Sequence, residues 1–116
     1  MISKELLSEV LPEYTEYREY KDFTISTSYT TLFISLDGRN MFGSINIYEL
    51  AHKCILYAWD KMYEITPRVM GAEIMSLETG YTEHTILRED INKPEKFDPR
   101  FVFQACEWVL NQKGHQ

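Results

Sequence analysis

The chain is short of the residues and spacings that carry familiar chemistry. It has 2 cysteines and 3 histidines in 116 residues. No Cys-x-x-Cys and no His-x-x-x-His occurs, so the usual zinc-holding spacings are missing. His52 and Cys54 are close in sequence. On a helix, however, residues two apart point roughly 200° away from one another and cannot share an ion. Gly-x-x-x-x-Gly-Lys, Gly-x-Gly-x-x-Gly and Gly-x-Ser-x-Gly are also absent, which leaves no phosphate loop, dinucleotide fingerprint or nucleophile elbow. No metal and no cofactor is expected.

Positive charge is scarce. Twelve basic residues face 18 acidic ones, for a net charge of −6. Lys93, Lys96 and Arg100 are interleaved with Glu95 and Asp98, so they form no cluster. An acidic surface repels phosphates, and no nucleic-acid partner is expected. No stretch approaches the ~20 apolar residues of a membrane span. Lys4 and Glu5 interrupt any apolar run at the start, which speaks against a signal peptide and a membrane partner. Cys54 and Cys106 lack a second pair and sit among apolar neighbours. They read as reduced core thiols in a cytoplasmic protein.

What remains is a globular composition, 44% hydrophobic with 8 Tyr, 6 Phe and 2 Trp. Residues 1–116 form one α+β domain by size and composition. Ser3 caps a short helix that ends before Pro12, with Leu6, Leu7, Val10 and Leu11 along its apolar edge. Glu13–Tyr20 repeats Glu-Tyr-x and reads as an edge strand. The sharper alternative is a recognition strip of Tyr14, Tyr17 and Tyr20. Between Phe23 and Leu36 the apolar parity flips: Phe23 and Ile25 share one phase, Leu32 and Ile34 the other. A turn or bulge near Ser28–Thr31 follows, and two strands, or one strongly bent strand, are expected. Asp37-Gly38-Arg39-Asn40 marks a turn before a strand at Met41–Ile45, where Gly43 suggests a bulge.

Two longer helices dominate. Asn46–Met62 opens with Asn46 as cap and Glu49 at the third helical position. Asp98–Asn111 opens with Asp98-Pro99. Between them, Pro67 breaks an extended segment, and Val69–Leu77 with Tyr81–Arg88 forms a hairpin about Glu78-Thr79-Gly80. The expected architecture is an antiparallel sheet of about five strands with the two long helices side by side on one face, in the order α-β-β-β-α-β-β-α. Ala51, Ala58 and Ala105 would permit close helix approach.

Each long helix is apolar around more than half its circumference, whereas one sheet face demands a stripe of only ~100°. The surplus includes Tyr48, Leu56 and Trp59 on the first helix and Phe103 and Leu110 on the second. These five are the candidate interface, and a homodimer or another protein is the expected partner. The compact, Tyr-rich, motif-free character resembles that of small bacterial or phage accessory proteins, a likeness that assigns no residue. The function expected from the sequence is therefore a non-catalytic binding or assembly protein that self-associates. Two alternatives stand beside it. Glu73 and His84, if they share a face of the hairpin, could form a general acid/base pair; the plainer reading is an exposed cross-strand pair. The row Glu13, Glu16, Glu19 and Asp22 could instead make the protein an acidic antagonist of a basic partner, such as an antitoxin or nucleic-acid mimic.

Overall fold

In the computed structural model, which describes residues 2–11, 23–28, 30–36, 40–87 and 98–112, a helix begins at each expected cap. Helix α1 spans Lys4–Val10, α2 spans Ile47–Asp60 and α3 spans Pro99–Gln112. The Ser3 hydroxyl accepts from the Leu6 N–H at 3.1 Å. The Asn46 side chain accepts from the Tyr48 N–H at 2.8 Å and the Glu49 N–H at 3.3 Å. The Asp98 carboxylate accepts from the Arg100 N–H at 2.9 Å, with Pro99 behind it in the first helical position. Each cap satisfies N–H groups that a helix start cannot pair internally. At the far end of α2 the chain leaves through Met62, which adopts a left-handed φ of 72°.

Among the described residues six strands lie between the helices: β1 (Phe23–Ser28), β2 (Thr31–Leu36), β3 (Asn40–Asn46), β4 (Tyr63–Arg68), β5 (Gly71–Ser76) and β6 (Thr82–Leu87). They form two separate antiparallel meanders, β1-β2-β3 and β4-β5-β6. A single sheet of about five strands is therefore corrected to two sheets of three. The order among the described residues is α-β-β-β-α-β-β-β-α. The strand missing from the expected order is β4, hidden by Pro67. It is an edge strand, where proline is tolerated if its missing N–H would have faced away from the neighbouring strand. With β4 paired to β5, Val69 and Met70 become a tight turn instead of the start of a long strand.

The parity flip resolves as a hairpin. Ser28 pairs with Thr31 and Ile25 with Ile34. Directly paired residues share a face, so a two-residue connection brings odd positions of β1 and even positions of β2 to the same side. Leu32 and Ile34 are buried there, with Ile25 packed against them. The ladder between β2 and β3 skips one residue beside Gly43, as its glycine suggested. In the second meander Ile65 pairs with Ile74 and Pro67 with Ala72. Ala72, Ile74 and Ser76 are the buried face of β5, which settles which side of the hairpin meets the core.

The principal extents are 44 × 38 × 19 Å. The shortest matches one helix layer on one sheet layer, each roughly 10 Å deep. Helices α2 and α3 pack against one another; α3 lies on β4, β5 and β6, and α2 touches β3 and β4. The core joins Leu6, Leu7 and Leu11 of the N-terminal segment to Leu50 and Cys54 of α2 and Val102, Phe103 and Val109 of α3. Ala51, Ala58 and Ala105 are all buried, as close helix packing requires. One polar contact ties the first helix to the last. Glu107 accepts from the Ser3 hydroxyl at 2.7 Å and from the Ser3 N–H at 3.1 Å.

Two glycines carry different loads. Gly71 has φ 144°, and a Cβ there would lie 1.8 Å from the Ile86 carbonyl oxygen. Gly80 has φ 76°, with open space around it. Gly71→Ala is expected to cost at least about 3 kcal/mol, because backbone must move. Gly80→Ala should cost only about 1 kcal/mol of left-handed strain. Urea denaturation midpoints of the two variants measure the difference.

Candidate functional site

Two surfaces stand out. The first is the outer side of α2. At 100° per residue its buried positions, Leu50, Ala51, Cys54 and Ala58, fall within about 100° of arc. The opposite arc carries Tyr48, His52, Leu56 and Trp59, all exposed. Tyr48 is 47% exposed, Leu56 51% and Trp59 53%. These three expected interface residues are thus on one side of one helix and open to solvent. The other two are not there. Phe103 is 2% exposed and belongs to the core, so it is corrected from interface to packing residue. Leu110 is partly buried against the same core. The narrow polar stripe of α3 explains both: sheet, α1 and α2 together enclose its wide apolar arc.

The second surface is an apolar concavity of about 370 Å³ at the tip of the second meander. Val69 and Met70 of the turn, Ala72 of β5 and Ile86 and Leu87 of β6 form its walls, with Arg68 and Glu73 beside them. Its volume is in the range of small-molecule sites, yet such sites also need polar groups that converge on a ligand. The charged pair present is already joined, Arg68 to Glu73 at 2.9 Å. Sequence reasoning missed this concavity because it depends on β4 being a strand.

The acid/base pair is not assembled. Ile74 is opposite His84, and Glu73 is opposite Thr85. His84 therefore shares the inner face with Ile74, while Glu73 points to the outer face. His84 stacks on Trp108 of α3, ring centroids 5.2 Å apart and planes 6° from parallel. Trp108 in turn meets the edge of Tyr63 at 5.5 Å. The imidazole is a packing element between β6 and α3. Among the described residues no group of His, Cys, Asp and Glu is arranged to hold a metal ion.

The thiols are free and buried. The Cys106 Sγ–H donates to the Cys54 carbonyl at 3.4 Å. A hydrogen bond with Cys106, then burial, pushes the Cys54 thiol above its usual range. A reactive thiol needs the reverse, a depressed pKa near a cation or helix start. Tyr57, nearby on α2, has its phenol pushed up to about 12, first by burial and then by Glu9 and Cys106. Its hydroxyl oxygen is buried without a hydrogen-bond partner, while Lys61 sits over its ring at 5.6 Å.

The strip Tyr14, Tyr17 and Tyr20 and the row Glu13, Glu16, Glu19 and Asp22 lie outside the described residues. Among the described residues no helix is long and apolar enough to cross a membrane. No protein-family model matches this chain, and comparison with curated proteins and with solved structures likewise gives no match.

Tyr57→Phe removes a buried hydroxyl that has no partner, and should raise stability by about 1 kcal/mol near neutral pH. Because burial pushes the folded phenol up to about 12, above the ~10 of an exposed tyrosine, folding stability falls as pH rises through that window. The variant should lack this part of the alkaline loss. Urea midpoints at pH 7 and across pH 10 to 12, wild type against Tyr57→Phe, read both effects.

Proposed function

We propose that the protein is a non-catalytic binding or assembly protein that acts as a self-associated unit. The observation that carries this reading is the outer side of α2, where Leu56 and Trp59 remain half exposed. Burying a fully exposed side chain of this size contributes about 1.5–3 kcal/mol, so covering the exposed half contributes roughly 1 kcal/mol each, and their exposure is a standing drive for association. An apolar patch of this kind is a feature of partner surfaces. The net charge of −6 favours a protein partner over a phosphate-rich one. The separation of Glu73 and His84 onto opposite faces of the meander removes support for acid/base catalysis. Two buried thiols that stay unpaired support a reducing, cytoplasmic setting.

Sedimentation equilibrium from about 1 to 100 µM tests the reading. The expected mass rises toward twice the 13.8 kDa of one chain, the concentration scale being that of a modest interface. A mass that stays at 13.8 kDa throughout would end the self-association part.

A further inference from the structure

We propose that the partner of α2 is α2 of a second copy, packed antiparallel about a two-fold axis that passes beside Leu56. This rests on the self-association proposed above and adds its surface, its orientation and its register.

The charges beside the apolar stripe set the orientation. Taking His52 as the middle of the stripe, Trp59 and Leu56 lie within about 40° on either side. Glu49, Lys53 and Asp60 follow on the Leu56 side, about 60–100° from the middle, while Ile55 follows on the Trp59 side. One flank is thus charged and the other apolar. In an antiparallel pair of identical helices each flank faces its own copy; in a parallel pair it faces the opposite flank. The antiparallel pair therefore sets charges against charges and Ile55 against Ile55. A parallel pair would press Lys53 of one copy against Ile55 of the other, taking that charge from water without a partner.

The charge order also fixes the register. Lys53 and Asp60 are seven residues apart, about 10.5 Å along the helix. An axis midway between them, beside Leu56, places Lys53 of each copy against Asp60 of the other, twice by symmetry. The same axis sets Leu56 against Leu56 and Trp59 beside His52 of the facing copy. Such a contact is isologous, so it closes at two copies and exposes no further sticky surface. Within one chain Lys53 and Asp60 show no ion pair with described residues, so both are available for this exchange. Helix flank charges of this kind choose orientation in paired helices generally.

Four variants decide it: Leu56→Asp, Lys53→Asp, Asp60→Lys and the double exchange Lys53→Asp with Asp60→Lys. Each substituted side chain is exposed or half-buried, and far-ultraviolet circular dichroism checks that the fold is kept. Sedimentation equilibrium then reads the dimer constant. Leu56→Asp should leave a monomer at 100 µM. Each single charge change should weaken the dimer about five- to tenfold, by making two like-charge contacts. The double exchange should restore the constant to within about threefold of wild type. A wild-type dimer that Leu56→Asp leaves intact overturns this surface while self-association stands. Loss of the dimer in Leu56→Asp with no rescue by the double exchange overturns the antiparallel register. A wild-type chain that is monomeric throughout overturns both readings.

Discussion

The close approach of α2 and α3 is the constraint on which the rest of the arrangement depends, because a thiol of one helix reaches a backbone carbonyl of the other. Only small residues allow that: Ala51, Cys54 and Ala58 on one side, Ala105 and Cys106 on the other, all buried. With the two axes held together, α3 has its wide apolar arc shared among α2, α1 and the second meander. Phe103 and Val109 then vanish into the core. Cysteine here serves as a small buried hydrophobe with a weak S–H donor.

The same constraint decides what α2 leaves outside. A helix can turn only so much of its circumference toward one neighbour and one sheet layer. Once Ala51, Cys54 and Ala58 face inward, geometry sends His52, Leu56 and Trp59 outward. The exposed stripe follows from the packing of α3, so it cannot be hidden by a small rotation of α2 without losing the small-residue contact. Exposure at the hairpin tip has another origin. There Val69 and Met70 are turn residues, and a turn has no second layer over it.

Local signals were readable in the sequence where they are self-contained. Ser3, Asn46 and Asp98 announce helix starts because a cap is an interaction over two or three residues. The Phe23–Leu36 parity flip announces a turn or bulge for the same reason, and pairing makes it a hairpin. Non-local decisions were not readable. Pro67 suppresses a strand signal unless one knows that its strand is at an edge. Whether strands join in one sheet or two depends on pairing partners far along the chain, to which alternation is indifferent. The Glu73–His84 idea failed on a single parity, since a one-residue change of register exchanges faces. Leu56 and Trp59 were legible because they break the pattern of their own helix. Phe103 was not, because its cover comes from elements distant in sequence.

Consider last the bond between Ser3 and Glu107, which joins residues 104 apart in the chain. During synthesis the first helix leaves the ribosome long before its partner exists. Leu6, Leu7 and Leu11 can meet α2 once about half of residues 1–116 are made, but they lack α3 until about nine-tenths are, and a seven-residue helix is too short to persist alone. Closure of the molecule is therefore a late event that brings the two ends of the described chain together at once. Delivery of α3 completes the cover that α2 begins.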